Sequence, residues 1–250
     1  MYVTREMDSA WWSLFDSNTP NDVILRSVLA GRCPGRAYLD RPRDPTQVVI
    51  RAHGGKAFAS RAVTESSLHQ AVDQASRLGW TALADTGLPA SVRSRGRIVD
   101  RVRFGDCDMA SDTLRALRDG LPPDVEVRTL TRQLLERCPH AGRELPKEYG
   151  DQLDSYFDFG YGVFLLQGGE VTCEAYAGFV ADERMEAVVG TIEGFRGRGL
   201  ASIASALLAG EAWERGQAFS WSCLADNVGS LKVARRLGFR TEWPYREVYL

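Results

Sequence analysis

A glycine-rich loop with two arginines lies between an apolar stretch and a long helix-like run. Residues 188–192 are mostly β-branched and predict a strand, and residues 199–215 predict a helix. Glycines in residues 196–199 let the backbone approach a ligand, and the first N–H groups of the helix have no partners within it. The pattern predicts a site for an anion such as a pyrophosphate. The alternative is an ordinary connection with solvated arginines.

This loop does not fit two other nucleotide-binding patterns. No Gly-Lys-Ser/Thr follows at P-loop spacing, and the G-x-G-x-x-G fingerprint of dinucleotide-binding proteins is absent. Nucleotide hydrolysis and hydride transfer therefore lose support.

Two motifs carry a resemblance to a known family. The spacing Arg196-x-x-Gly199-x-Ala201 resembles the acetyl-CoA loop of the GCN-related N-acetyltransferases, the GNAT superfamily. Downstream, the segment from Asn227 to Phe239 matches the family's N-x-x-S-x-x-x-A-x-x-L-G-F signature, in the expected order. The resemblance implies acetyl-CoA as co-substrate, bound by Val189, Thr191, Arg196, Gly197, Arg198, Gly199, Leu200, Ala201, Ser202, Asn227 and Ser230.

The resemblance also implies direct attack of a neutral amine on the thioester, which requires a base. Family members often place a carboxylate at the start of the strand before the loop, where this chain has Glu186. Asn227 is expected to cap its helix and to offer its amide to the pantetheine or the thioester. The alternative for Glu186 is a solvated glutamate paired with Arg184 or another cation. Glu174 and Tyr176 are reserve candidates, for which cross-strand packing is the alternative.

The resemblance gives expectations for the thioester carbonyl and the leaving thiolate as well. A backbone N–H among Val189, Gly190 and Thr191 is expected to bind the carbonyl. Gly190 suits a β-bulge there, and tight packing around the glycine is the alternative. Many relatives have a tyrosine acid where this chain has Ala234. Protonation of the thiolate therefore has no obvious side chain, and water is expected to serve. Tyr245 and Tyr249 could approach the site, although core packing explains them as well.

The elements around the loop predict a mixed fold. Strands are predicted at residues 162–166, 171–180, 184–192 and 219–224, followed by a helix at 227–237 and a last strand at 245–249. The fold class is α/β, an α+β mixed sheet with a GNAT fold in a C-terminal domain of residues 139–250. The resemblance implies a mostly antiparallel sheet split by a V-shaped opening.

The first half of the chain carries weaker patterns. Residues 1–34 predict helix, with a cap-like Asn21, and extended runs at 36–39, 47–51 and 56–61 predict an antiparallel meander. The polar, proline-containing residues 138–152 predict a domain boundary. Residues 1–138 are thus expected to form a smaller α/β partner domain with its own sheet. The resemblance is to a subgroup whose first domain is a degenerate, GNAT-like one.

Composition limits the classes of partner. With 31 basic and 33 acidic residues the net charge is −2, which gives no general attraction to nucleic acid or membranes. Five scattered cysteines predict free thiols, no metal site is expected, and His53, His69 and His140 are expected at the surface. The absence of a signal or membrane-spanning pattern predicts a cytoplasmic protein.

Three functional hypotheses follow from these observations. The first is an enzyme that acetylates a primary amine of a small molecule or peptide, with a homodimer allowed. The second is an acyl-CoA-binding sensor or scaffold without turnover, and the third is a purely structural domain. Trp11, Trp12 and Trp80 are candidates to line an acceptor pocket, with ordinary core packing as the alternative.

Overall fold

Strands from both halves of the chain form one sheet in the computed structural model, which describes residues 1–85, 87–105, 107–108 and 111–250. The spatial order of the twelve described strands is β1-β2-β3-β4-β5-β12-β6-β11-β10-β9-β8-β7. The strands are β1 (Tyr2–Thr4), β2 (Gly35–Leu39), β3 (Val48–Ala52), β4 (Lys56–Ala59), β5 (Ala82–Ala84), β6 (Arg97–Gly105), β7 (Val125–Thr129), β8 (Gly162–Gln167), β9 (Glu170–Ala181), β10 (Arg184–Thr191), β11 (Ala218–Leu224) and β12 (Thr241–Tyr249).

Helices cover the two faces of this sheet. They are α1 (Asp22–Leu29), α2 (Glu65–Ala75), α3 (Ala90–Arg93), α4 (Asp112–Asp119), α5 (Arg132–Leu135), α6 (Ala141–Tyr149), α7 (Leu153–Tyr156), α8 (Leu200–Glu214) and α9 (Val228–Arg236). Side chains of β9 alternate between the faces, so Cys173 and Ala175 pack with α8, whereas Tyr176 packs with α1 and α6. Strand β9 is therefore buried on both sides.

The sheet opens next to the glycine loop, as expected. All described strand pairs are antiparallel except β4–β5 and β10–β11. Strands β10 and β11 pair only through Arg184–Glu186 and Ala218–Ser220, after which β11 pairs with β6 alone. The remainder of β10 therefore borders a gap, which confirms the predicted V-shaped opening.

The expectation of a separate sheet in the first half is wrong. Although β2, β3 and β4 form the predicted antiparallel meander, β6 lies between β12 and β11, and β7 pairs with β8. Pairing between distant segments leaves no local trace in a sequence, because each strand carries only its own alternation of side chains. The division at residues 138 and 139 stays a prediction.

One other local prediction needs correction, and the segment of the predicted boundary contains a helix. Residues 1–34 contain the strand β1 and a 3-10 turn at Ser9–Leu14, and only α1 is an α-helix. Residues 138–152 contain α6, which has Pro146 within it and buries Ala141, Leu145 and Tyr149. Their fourfold spacing gives α6 a buried face, and this burial offsets the poor helix propensity of the proline.

Candidate functional site

The glycine loop meets the first turn of α8 with the geometry of an anion cradle. Gly197 and Gly199 have φ values of +79° and +81°, a region that glycine adopts without strain. In the described part of the chain, the backbone N–H groups of residues 197–199 find no hydrogen-bond acceptor. Together with the positive end of the α8 dipole, these donors suit a phosphate or pyrophosphate.

A cleft of about 750 Å³ surrounds this loop, and we call it the loop cleft. Arg198 is the one predicted cofactor residue that does not line it, because its guanidinium lies over the Phe195 ring and donates to the Gly194 carbonyl at 3.1 Å. The predicted residues that do line the cleft are Val189, Thr191, Arg196, Gly197, Gly199, Leu200, Ala201, Ser202, Asn227 and Ser230.

Strand β10 directs alternate backbone groups into the gap beside β11. Ile192 donates its N–H to Thr172 at 3.0 Å, toward β9, so Gly190 also faces β9. The N–H and C=O groups of Val189 and Thr191 therefore face the gap. An extended ligand chain laid in the gap could pair with them as an added strand would.

Helix α9 closes the far side of the loop cleft. The side chain of Asn227 caps it by accepting from the Ser230 N–H at 3.0 Å, as predicted. The Ser230 hydroxyl in turn accepts from the Trp221 indole on β11 at 3.0 Å. The capping bond uses the oxygen of the Asn227 amide and leaves its NH₂ group at the exposed rim of the cleft.

A second cleft of about 820 Å³ lies where the two halves of the chain meet, and we call it the junction cleft. Asn21, Asp22 and Arg103 line it from the first half, and Glu186 lines it from the start of β10. Trp11, Trp12 and Trp80 are not among its lining residues; the tryptophans that line it are Trp213, Trp221 and Trp243. The clefts lie along successive parts of β10.

Glu186 is a buried acid rather than a solvated one. Its exposed fraction is 8%, and its carboxylate accepts from the Ser222 hydroxyl at 2.8 Å. Burial raises the pKa of Glu186 to about 7, and nearby Asp22 adds to the rise, while Ser222, Arg101 and Lys56 oppose it. The alternative of a solvated strand-end glutamate is therefore wrong. A carboxylate with this pKa is suited to accept a proton near neutral pH.

His140 is partly buried and lines the loop cleft, a position that its expected place at the surface does not specify. Its ring covers Gly190 so closely that a Cβ there would come within 2.9 Å of the imidazole. The Tyr176 hydroxyl lies 3.4 Å from His140 Nδ1. Buried Glu174 accepts from the backbone N–H groups of His140 and Ala141 at 2.9 and 2.6 Å, which fixes the start of α6. Glu174 thus has a structural role.

Gly190 packs tightly against the His140 imidazole and is not part of a β-bulge. The register shift between β9 and β10 lies between Glu186 and Ala187, opposite Gly178, so the expected bulge at Gly190 is wrong. A lone histidine in a polar stretch gives no sign of such a contact. Only the pairing of β9 with β10 and the docking of α6 bring His140 to the cleft.

No tyrosine is among the described residues that line the loop cleft, so none there replaces the tyrosine acid that many relatives have. Ala234 is fully buried within the α8 and α9 core, and Tyr245 lies in the junction, where its hydroxyl accepts from Arg101 at 2.9 Å. Tyr249 instead stacks on Trp80 at 5.6 Å.

Neither a metal-binding cluster nor a membrane-spanning helix is found in the described residues. No group of three or more His, Cys, Asp or Glu side chains is arranged to hold a metal ion there. All five cysteines are free thiols, as predicted, and four are buried. No helix in the same ranges has the length and apolarity needed to span a membrane.

The chain is similar to proteins described as acetyltransferases. A family model described as GNAT acetyltransferase matches residues 13–248. The Bacillus subtilis (strain 168) protein called "Uncharacterized N-acetyltransferase YdfB" is 26% identical over 129 residues, which are 52% of this chain and 49% of that protein. The chain therefore spans about half the length of this curated relative.

Solved structures share the fold over nearly the whole chain. A GCN5-related N-acetyltransferase-like protein from Streptococcus suis 89/1591 has a TM-score of 0.74 at 21% identity, covering 97% of this chain and 98% of that one. An acetyltransferase from the GNAT family from Colwellia psychrerythraea has a TM-score of 0.55 at 11% identity, covering 100% and 99%. At these identities the similarity shows the fold alone.

Proposed function

Because the chain belongs to the GNAT acetyltransferase family, we propose that it transfers an acetyl or short acyl group from acyl-CoA to a primary amine of a small molecule or peptide. The supporting observation is that one strand, β10, borders both clefts: Glu186 stands in the junction cleft, and Val189 and Thr191 stand in the loop cleft. An acyl donor and an acceptor bound in these clefts would meet along that strand.

The residues of the loop cleft fit a CoA thioester. The N–H groups of residues 197–199, the α8 dipole and the Arg196 guanidinium would hold the pyrophosphate. Val189 and Thr191 would pair with the pantetheine arm through the backbone groups that face the gap, and an N–H of the same strand would polarise the acyl carbonyl. Acyl-CoA supplies the thioester on which the amine acts.

Glu186 would act as the base toward the amine. Its carboxylate would accept the amine proton directly or through a water molecule, and its raised pKa matches this task near neutral pH. With Ala234 in the core, the leaving thiolate would take its proton from water or from His140, the one described histidine that lines the loop cleft.

Isothermal titration with acetyl-CoA tests the donor site. We expect the wild type to bind one equivalent and an Arg196→Glu, Gly199→Glu double variant to lose binding, because two carboxylates would replace a cation and a closely approached backbone. An Arg240→Glu, Gly168→Glu double variant is the matched control, since it makes the same change in charge and also replaces a positive-φ glycine, at exposed positions outside the loop. Loss of binding in the control would point to net charge rather than to the loop.

Thiol release with a panel of primary amines tests turnover. Release of CoA that depends on an amine supports the transferase. Binding without release by any amine would instead favour the sensor hypothesis, and a well-folded wild type that binds no acetyl-CoA would refute both.

A further inference from the structure

Asn21 begins helix α1 but does not cap it. It has φ = +58°, an unusual conformation for a residue other than glycine, and its side chain makes no capping hydrogen bond to the helix. Its exposed fraction is only 9%. Asparagine at such a position normally uses its side-chain oxygen for the first helical N–H groups. Here that oxygen is used elsewhere.

The amide of Asn21 is held by three partners on the last strands of the sheet. Its Oδ1 accepts from the Ser222 hydroxyl and from the Tyr245 hydroxyl, both at 3.2 Å. Its Nδ2 donates to Glu247 at 2.9 Å. Glu247 is itself buried and pairs with Lys56. Because the Glu247 carboxylate accepts hydrogen bonds and does not donate them, the NH₂ group of Asn21 must face it. This contact fixes the orientation of the Asn21 amide.

Ser222 stands between Asn21 and Glu186 with one proton and two acceptors. Its Oγ lies 2.8 Å from Glu186 Oε1 and 3.2 Å from Asn21 Oδ1. When Glu186 is ionised, the hydroxyl donates to the carboxylate. When Glu186 is protonated, its O–H can donate to Ser222, whose own proton then turns to Asn21. In both protonation states Glu186 thus keeps a hydrogen bond to Ser222, and the Ser222 proton has an acceptor.

We propose that Asn21 is a positioning residue for Glu186: it supplies the acceptor that lets Ser222 reverse its hydrogen bond each time Glu186 takes up or releases a proton. The inference rests on the proposed function, in which Glu186 is the base. It gives a residue in the first half of the chain a part in the chemistry. The prediction of a degenerate partner domain for residues 1–138 includes no such part.

The geometry predicts that loss of the Asn21 oxygen and loss of the Ser222 hydroxyl shift the pKa of Glu186 in opposite directions. Without the Asn21 oxygen, protonated Glu186 leaves the Ser222 proton without an acceptor, so the neutral state becomes less stable and the pKa of Glu186 falls. Without the Ser222 hydroxyl, ionised Glu186 loses its donor and its pKa rises. The other groups that act on Glu186 are unchanged in both variants: Asp22 on α1, Arg101 on β6 and Lys56 on β4.

Asn21→Gly and Ser222→Ala test this prediction. Glycine keeps the positive φ while removing the amide, so the backbone of the α1 start is not strained. The matched control is Asn18→Gly, which makes the same change at another residue lining the junction cleft. The readout is the pKa of Glu186 from ¹³C-carboxyl NMR titration, with Glu186→Gln used to assign its signal. Assignment is needed because burial also raises the pKa of Glu148 to about 7.

We expect the pKa of Glu186 to fall by about one unit in Asn21→Gly and to rise by about one unit in Ser222→Ala, as suits the gain or loss of one hydrogen bond. It should stay within about 0.3 units in Asn18→Gly. Shifts of equal sign in the first two variants would indicate mere loosening of the junction and would overturn the proposal. An unchanged pKa in Asn21→Gly would overturn it too.

The same variants separate this proposal from the proposed function. If NMR shows the expected fall in Asn21→Gly and the expected rise in Ser222→Ala, and the pH profile of kcat/KM moves with them, both proposals are supported. If NMR shows the shifts but Glu186→Gln keeps full activity, Glu186 is not the base, and the positioning role toward catalysis falls with it. The hydrogen-bond reversal itself would stand.

Discussion

Glu174 offers a quantitative test of how the start of α6 is held against the sheet. We expect Glu174→Gln to destabilise the protein by about 2–4 kcal/mol. Its carboxylate is fully buried and accepts from two backbone N–H groups, those of His140 and Ala141. Hydrogen bonds to charged groups contribute about 1.5–3 kcal/mol each, and glutamine has one acceptor oxygen where the carboxylate has two. One N–H would therefore lose its partner and face an NH₂ group.

Urea unfolding followed by circular dichroism measures this loss. For a chain of this size, each 1 kcal/mol corresponds to about 2–4 °C in Tm, so a thermal scan should show a decrease of about 4–16 °C. Glu170→Gln is the matched control, because it makes the same change at an exposed position on the same strand. It should alter stability by less than about 0.5 kcal/mol.

The functional consequence of Glu174→Gln should appear in cofactor binding. Because α6 begins next to His140, whose ring covers Gly190, a looser helix start should weaken acetyl-CoA binding in a titration. A destabilisation below about 1 kcal/mol would refute the reasoning, since it would mean that water or another donor replaces the lost bond at little cost.

Three further outcomes follow from the same geometry. Because Glu186 acts only when ionised and its pKa is about 7, kcat/KM calculated on the concentration of neutral amine should rise about tenfold per pH unit below pH 7 and level off above it. Glu186→Gln should lose this limb of the profile and about 10²–10⁴ in rate. Ala234→Tyr should not restore an acid: the buried site near Phe239 has no room, so denaturant unfolding should show a loss of about 1–3 kcal/mol or more. Gly190→Ala should displace the His140 ring and weaken acetyl-CoA binding in a titration, and His140→Ala in the same chain should relieve the clash; no difference between the single and double variants would contradict this contact.

The loop cleft could be predicted from the sequence because its parts are local. The glycines at 197 and 199 lie within one connection, and the Asn227 cap is bonded to Ser230 on the same helix. Such features depend on the conformation of a few consecutive residues, which residue types and spacing specify. Ten of the eleven predicted cofactor residues line the cleft, and Arg198 alone turns away.

The junction cleft could not be predicted in the same way. Glu186 was expected from its position before the loop, but its burial depends on Asn21 and Ser222, which are far apart in the chain. His140 reaches the other cleft only because α6 docks on β9 and β10. Contacts of this kind follow from strand order, and the alternation of side chains within one strand gives its faces but not its neighbours.

The place of β12 in the sheet has a consequence for how the chain is made. Strand β12 (Thr241–Tyr249) lies between β5 and β6, both formed by the first half of the chain. During synthesis the edges of β5 and β6 that face β12 therefore stay unpaired until residues 241–249 have been made. The sheet is completed only when this central strand inserts between two strands made before it, and until then the unpaired edges are open to aggregation.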